Sequence, residues 1–158
     1  MIGVFDLFRI GLGPSSSHTV GPMRAARAFV ERAGRAAGRA VRVEVVLMGS
    51  LAWTGRGHGT DVAVMAGLAG LAPETADPDV VHGLPGRVAA AGRLDLGGFG
   101  HVAFEAGRDI VFDRTTKTPV HPNTMRLRLV DAAGGLVAEE TWFSVGGGFV
   151  VREGEEAA

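Results

Sequence analysis

The chain has 158 residues, enough for one compact domain, and 46% of them are hydrophobic and 21% charged, as is typical of a folded globular protein. Its 16 basic and 17 acidic side chains give a formal net charge of -1, which argues against nonspecific binding to nucleic acid. No apolar run approaches the roughly 20 residues that span a bilayer, and the first residues lack the basic segment of a signal peptide. We therefore expect a cytoplasmic protein without a nucleic-acid or membrane partner.

Cysteine is absent from the sequence, whereas glycine occurs 25 times. Without thiolates the chain alone forms no disulfide, no thiolate zinc site and no cysteine-ligated iron–sulfur cluster. No phosphate-loop or dinucleotide signature and no metal site is recognisable either, so we expect no metal and no cofactor to be held by this chain alone.

The first helix is predicted to follow a loop and a run of serines. An apolar stretch over residues 4–12 ends in this loop, and Pro22 suits the first turn of a helix, where its missing N–H costs nothing. Apolar side chains then recur at three- and four-residue steps over Met23–Ala33, and Gly34 or Gly38 predicts the end of the helix.

A strand and a second helix are predicted next. Alternation over Val41–Met48 predicts a strand with one buried face, and a glycine-rich loop follows over residues 49–59. Thr60 or Asp61 is expected to cap a second helix that runs from Val62 to about Leu71 and is mostly buried.

Prolines and glycines interrupt the next thirty or so positions, where only a short helix over residues 86–91 is expected. Further strands are predicted over residues 101–104, 109–112, 124–130, 136–145 and 149–151. The first two of these flank Gly107 as in a hairpin, and the next two flank a turn over 131–135.

These elements predict a single α/β domain of α+β character, with two main helices packed on a mostly antiparallel sheet. We expect the domain to cover residues 1–152 and the charged tail, 153–158, to fray.

The densest polar cluster of the sequence is Ser15-Ser16-Ser17-His18-Thr19, at the predicted start of the first helix. Unsatisfied N–H groups, the positive end of the helix dipole and several hydroxyls suit a carboxylate or phosphate there. His18 adds a group that titrates near neutral pH. The alternative, which is commoner for a serine run, is that one hydroxyl caps the helix and the others face solvent.

Two more histidines lie in predicted loops. His58 has glycine on both sides and follows a strand, where α/β proteins often bind ligands, although these glycines alone also suit a tight turn. His121 and Asn123 lie in a proline-stiffened segment, in which a turn held by Asn123 is the favoured interpretation on local grounds.

The segment Gly13-Pro14-Ser15-Ser16-Ser17-His18-Thr19-Val20-Gly21-Pro22-Met23 resembles the signature of the β domain or β chain of iron–sulfur-dependent L-serine dehydratases. Other segments resemble this family in the same order, namely residues 4–11, 49–52, 55–61, 121–125 and 143–149. The resemblance therefore covers essentially the whole chain.

This resemblance implies the deamination of L-serine to pyruvate and ammonia. In the family, a [4Fe-4S] cluster bound by cysteines of an α domain or α chain activates the serine hydroxyl while a base removes the Cα proton. The resemblance also implies a homodimer and a fold similar to the allosteric substrate-binding domain of some phosphoglycerate dehydrogenases.

Carried over by position, the resemblance implies two sets of site residues in this chain. The substrate-binding candidates are Ser15, Ser16, Ser17, Thr19 and Asn123. The catalytic candidates are His58, His121 and His18, of which His58 is preferred as the acid–base group. The competing hypothesis is a non-catalytic regulatory module that binds a small amino or hydroxy acid, a role that needs donors but no titrating groups.

Overall fold

A five-stranded mixed sheet organises the chain in the computed structural model, which describes residues 17–54, 59–118 and 121–155. The helices are α1 (Val20–Ala33), α2 (Ser50–Thr54), α3 (Thr60–Leu68), α4 (Pro78–Ala91) and α5 (Ala106–Asp109), and a 3₁₀-helix covers Gly34–Arg39. The strands are β1 (Ala40–Gly49), β2 (Arg93–Asp95), β3 (His101–Ala103), β4 (Ile110–Asp113), β5 (Asn123–Asp131), β6 (Leu136–Gly146) and β7 (Phe149–Arg152). The large sheet has the order β4-β1-β5-β6-β7, and β2 pairs with β3 separately.

The large sheet is mostly antiparallel, as predicted, because only β4 runs parallel to its neighbour β1. The register places Gly49 opposite Asn123 and Thr124 opposite Phe143. The last residues of β1, β4 and β6 and the first residues of β5 and β7 therefore lie at one end of the sheet. We call this the Gly49 end.

The predicted hairpin around Gly107 is wrong. The strand β3 pairs with β2, whereas β4 lies beside β1 with Ile110 opposite Val45. Gly107 belongs to the short helix α5 that connects β3 and β4. Local alternation identified both strands but not their partners, because burial of Ile110 in the core decides where β4 lies.

The described residues form three longer helices, α1, α3 and α4, where two were predicted. Of α4, only the last residues, 86–91, were predicted as a short helix, because prolines interrupt the rest of the pattern. Pro78 occupies the first turn, which favours helix formation, and the Asp77 side chain caps the helix by accepting a 2.8 Å bond from the Asp79 N–H. Pro85 lies inside the helix, which nevertheless continues and buries Val81 and Val88.

The second predicted helix, α3, differs at both ends from the prediction. Gly59, with φ +77°, holds the cap position, and Thr60 is the first helical residue, so neither Thr60 nor Asp61 caps it. The helix ends at Leu68 and not near Leu71. The predicted glycine-rich loop contains the short helix α2, while its residues 55–58 lie outside the described residues.

The main core lies between the sheet and the helices α1 and α3, and Phe29, Leu47 and Leu127 are fully buried in it. The two helices approach closely because residue 67 is glycine. A Cβ on Gly67 would lie 2.3 Å from the carbonyl oxygen of Met23. This contact lets the last turn of α3 pack against the first turns of α1.

Among the described residues, no helix is both long and apolar enough to cross a membrane. The last strand ends at Arg152, and the N–H of Glu153 still donates to the Thr141 carbonyl at 2.8 Å. Residues 156–158 of the predicted tail lie outside the described residues.

Candidate functional site

The described candidate residues lie together at the Gly49 end of the sheet. Ser17, His18 and Thr19 form the turn that enters α1, which we call the Ser17 turn. His121 precedes β5, and Asn123 is the first residue of that strand. The alternative interpretation of the serine run was a simple helix cap. The N-cap residue is Thr19, and its side chain makes no capping hydrogen bond.

Ser144, on β6, links these two segments. Its hydroxyl donates to the backbone carbonyl of Ser17 at 2.7 Å, and its own carbonyl accepts a 3.3 Å bond from the Asn123 side-chain amide. The Ser144 side chain is buried, and a Cβ on Gly21 would lie 2.3 Å from its oxygen. The glycine in the first turn of α1 is therefore needed for the approach of this helix to β6.

The Ser17 turn is also attached to the start of α3. The buried Thr60 hydroxyl donates to the backbone carbonyl of His18. Within the turn, the Ser17 hydroxyl lies 3.0 Å from Nδ1 of the His18 ring. Two helix N-termini, each with a positive dipole end, thus meet at the Gly49 end.

The segment before β5 is fixed at several points. The N–H of Asn123 donates to Nδ1 of His121 at 3.0 Å, and the Thr124 hydroxyl donates to the His121 carbonyl at 2.6 Å. The N–H of Ser50 donates to the Pro122 carbonyl at 2.7 Å. The tilted rings of His121 and Phe143 lie 6.3 Å apart.

Of the two polar atoms in the Asn123 side-chain amide, one has a hydrogen-bond partner among the described residues and the other has none. Its amide nitrogen donates to Ser144, while Oδ1 is buried and no donor among the described residues reaches it. Exchange of the two ends would turn Oδ1 towards the Ser144 carbonyl, so the hydrogen bond assigns the orientation. The site therefore contains one acceptor atom that lacks a donor in the described part of the chain.

Two exposed aromatic side chains lie at the same end of the sheet. Phe149, at the start of β7, is 69% exposed, and Trp53, in α2 just after β1, is 66% exposed. They are the most exposed large hydrophobic residues among those described. The Arg114 guanidinium lies over the Trp53 ring, 5.4 Å from its centroid.

Asp113 is the last residue of β4 and lies at the Gly49 end of the sheet. Its carboxyl has a shifted pKa. The Thr116 hydroxyl bonds its carboxylate at 2.6 Å, and the N–H groups of Thr115 and Thr116 add bonds of 3.0 and 3.1 Å. These donors stabilise the charged form and hold the pKa of the Asp113 carboxyl far below its usual value. Asp113 therefore closes a local turn and stays ionised over the physiological range.

The structure describes five of the eight predicted site residues. Ser17, His18, Thr19, His121 and Asn123 lie at the Gly49 end. Ser15, Ser16 and His58 lie outside the described residues, so their placement stays a prediction. No role was predicted for Ser144 from the sequence, and only a helix cap was predicted at Thr60. The one signal for Ser144 was its position in the segment 143–149, which resembles the dehydratase family.

The described residues do not fit an iron–sulfur cluster. No three or more histidine or acidic side chains among them are grouped as metal ligands, and the sequence contains no cysteine. Cluster iron is usually held by thiolates.

Comparison with known proteins identifies the class of the chain. The profile of the serine dehydratase beta chain family matches residues 3–155. The chain therefore belongs to the serine dehydratase beta chain family, and the resemblance predicted from the sequence is confirmed.

The names of individual relatives agree with this family assignment. The chain is 47% identical to an L-serine dehydratase of Streptomyces coelicolor over 154 residues, which are 96% of this chain and 34% of that protein. It is 47% identical to one of Mycobacterium bovis over 156 residues, 96% of this chain and 33% of that protein. It is 40% identical to L-serine dehydratase TdcG of Escherichia coli over 156 residues, 97% of this chain and 34% of that protein. The chain thus spans about a third of the length of these relatives.

Proposed function

We propose that this chain is the β part of an L-serine dehydratase and supplies binding and proton-transfer groups for the deamination of L-serine to pyruvate and ammonia. The observation that carries the proposal is the link made by Ser144 between the Ser17 turn and Asn123. Two segments 106 positions apart (17 and 123), both predicted as site residues, thereby form one polar surface. The names of the relatives supply the substrate.

The Ser17 turn suits the carboxylate of the amino acid. It precedes α1 directly, where backbone N–H groups and the positive end of the helix dipole favour an anion. Ser15 and Ser16, the preceding residues in the sequence, add two hydroxyls to the same binding group. Neutralising the carboxylate also makes the Cα proton easier to remove, because less negative charge accumulates as it leaves.

The base that removes this proton is assigned to His58 in our proposal, and His121 and His18 are the other candidates. His58 directly precedes Gly59 and Thr60 in the sequence. Thr60 bonds the backbone of His18, so the start of α3 and the Ser17 turn are attached to one another. The assignment of His58 follows the resemblance to the family.

The proposal requires a second part of the enzyme. The [4Fe-4S] cluster that the resemblance implies supplies Lewis acidity towards the serine hydroxyl, and an α domain or α chain with cysteines would have to hold it. The chain spans only about a third of its relatives, which leaves room for such a part. The exposed Trp53 and Phe149 are the contacts that we propose for it, because they lie at the same end of the sheet as the site.

The test is the release of pyruvate from L-serine by this chain together with the remaining part of the enzyme, prepared without oxygen. We expect turnover by the complex and none by this chain alone. His58→Ala is expected to lower turnover by about 10²–10⁴-fold while unfolding stays close to that of the unsubstituted chain. His101→Ala, at an exposed position of strand β3, is the matched control. A complex that releases no pyruvate would exclude the proposal.

The regulatory-module hypothesis gives a different result in the same experiment. Calorimetry would then show L-serine bound by this chain, and the substitution of His58 would leave the turnover of the complex unchanged. The homodimer, the cytoplasmic location and the similarity to the allosteric domain of phosphoglycerate dehydrogenases stay predictions.

A further inference from the structure

The hydrogen bond between Asn123 and His121 assigns the proton on the His121 ring. Nδ1 accepts the backbone N–H of Asn123 at 3.0 Å, and an accepting nitrogen must carry a lone pair. The proton of the neutral imidazole is therefore on Nε2. Rotation of the ring by 180° would place a carbon against the Asn123 N–H, so the same bond also assigns the ring orientation.

The backbone around His121 keeps the ring in this arrangement. The His121 carbonyl accepts the Thr124 hydroxyl, and the Pro122 carbonyl accepts the N–H of Ser50. Gly49 has φ +64°, and a Cβ there would lie 2.0 Å from the Pro122 oxygen. The end of β1 and the start of β5 therefore fit together only with glycine at position 49. A donor fixed in this way needs no reorganisation before it binds a ligand.

The Nε2–H group of His121 is unused by the described residues, none of which accepts a hydrogen bond from it. The side chain is only half-buried, and its segment is joined through Asn123 and Ser144 to the Ser17 turn. We propose that His121 donates a hydrogen bond from Nε2 to a carboxylate oxygen of the bound amino acid and is not the base. This inference rests on the proposed function, because that function supplies the ligand.

The position of the proton decides between the two roles. A base needs a lone pair that faces the substrate, and the only lone pair of neutral His121 is occupied by the Asn123 N–H. Complete loss of the Nε2 proton would leave an imidazolate, so transfer of that proton to a leaving hydroxyl is equally disfavoured. A hydrogen bond from Nε2–H to a carboxylate requires neither a free lone pair on the ring nor loss of the Nε2 proton.

The Nε2–H donor accelerates the reaction because negative charge develops on the carboxylate to which it is bonded. When the Cα–H bond breaks, the proton passes to a base elsewhere in the site, and the electron pair is delocalised onto the carboxylate. The extra negative charge strengthens the bond from Nε2–H in the transition state more than in the substrate complex. Removal of this donor should therefore lower kcat more than it raises KM.

Two substitutions separate a donor from a base in the complete enzyme. His121→Gln retains an amide N–H that reaches the position of Nε2 but removes any base, whereas His121→Ala removes both. We expect the glutamine variant to keep kcat for L-serine within about tenfold and the alanine variant to lose about 10²–10³-fold. His101→Gln, at an exposed position of strand β3, is the control that should change nothing. Equal loss of kcat in the two His121 variants, with both folded, would overturn the inference.

Nitrogen-15 NMR of the histidine rings in this chain gives a second measurement that needs no turnover. We expect His121 to show a protonated Nε2 and a non-protonated Nδ1. A protonated Nδ1 would overturn the inference and leave the proposed function intact. Failure of the unsubstituted complex to turn over L-serine would instead exclude the proposed function, whatever the NMR result.

Discussion

The hydroxyl of Ser144 donates to the backbone carbonyl of Ser17 across 127 positions of the sequence. It thereby holds the turn before α1 against the end of β6, next to the start of β5. The Ser144 side chain is buried, so water does not replace the carbonyl as its partner. The arrangement of the candidate site therefore depends on one buried hydroxyl to which no role was assigned from the sequence.

Ser144→Ala removes this bond and leaves the Ser17 carbonyl without its donor. We expect the free energy of unfolding to fall by about 1–2 kcal/mol and KM for L-serine to rise in the complete enzyme. Urea unfolding and steady-state kinetics are the measurements. Thr141→Ala, on the same strand but only partly buried, is the control and should leave KM unchanged. A variant with an unaltered KM would show that the bond does not hold the site.

Gly49→Ala tests the contact between β1 and the segment before β5. The new Cβ would lie 2.0 Å from the Pro122 oxygen, in a backbone conformation, φ +64°, that alanine rarely adopts. We expect the free energy of unfolding to fall by more than about 2 kcal/mol, measured with urea.

Gly86→Ala is the matched control for this substitution. Gly86 lies inside α4, and a Cβ there would meet nothing within 4 Å. Alanine is the better helix former, so we expect stabilisation by about 0.5–1 kcal/mol. Similar destabilisation in both variants would contradict the role given to position 49.

We expect Asp113 to make the free energy of unfolding depend on pH in the acidic range. Its folded pKa lies below the usual value of 3.8, because Thr116 and the neighbouring N–H groups stabilise the carboxylate. The contribution is therefore fully present above about pH 3.8 and is lost as the pH falls towards the folded pKa. We expect Asp113→Asn to be less stable than the unsubstituted chain at neutral pH, with a difference that shrinks below pH 3.8.

The measurement is the free energy of unfolding of both chains across this pH range. Asp95→Asn is the control, since the Asp95 side chain lies exposed on β2 and makes none of the hydrogen bonds found in the described residues. A constant difference between the Asp113 variant and the unsubstituted chain at all pH values would rule out this linkage.

Trp53→Ala and Phe149→Ser test the proposed contact with the rest of the enzyme. Exposed aromatic residues at the centre of an interface often dominate binding, so we expect each variant to bind the remaining part about tenfold or more weakly. Calorimetry measures the affinity, and unfolding should change little because both side chains face solvent. Leu136→Ser, 58% exposed at the opposite end of β6, is the control. Equal affinity of all three variants would place the contact elsewhere.

The sequence by itself determined the family and most of the separate elements. The 3.6-residue period of α1 and the alternation of β1 and β5 are local signals, because each element buries one face. The polar segments around Ser17 and His121 were also recognisable, since their residue types match a family signature in the right order.

Only the tertiary structure decided which segments meet. The pairing of β4 with β1 follows from burial of Ile110, which no local pattern encodes. The helix α4 continues past Pro85, although proline inside a helix usually ends or kinks it. The roles of Ser144 and of the His121 ring proton arise from contacts with Ser17 and Asn123 in the folded chain. A hydrogen bond between distant positions leaves no periodic trace in a sequence, because it requires only one suitable atom on each side.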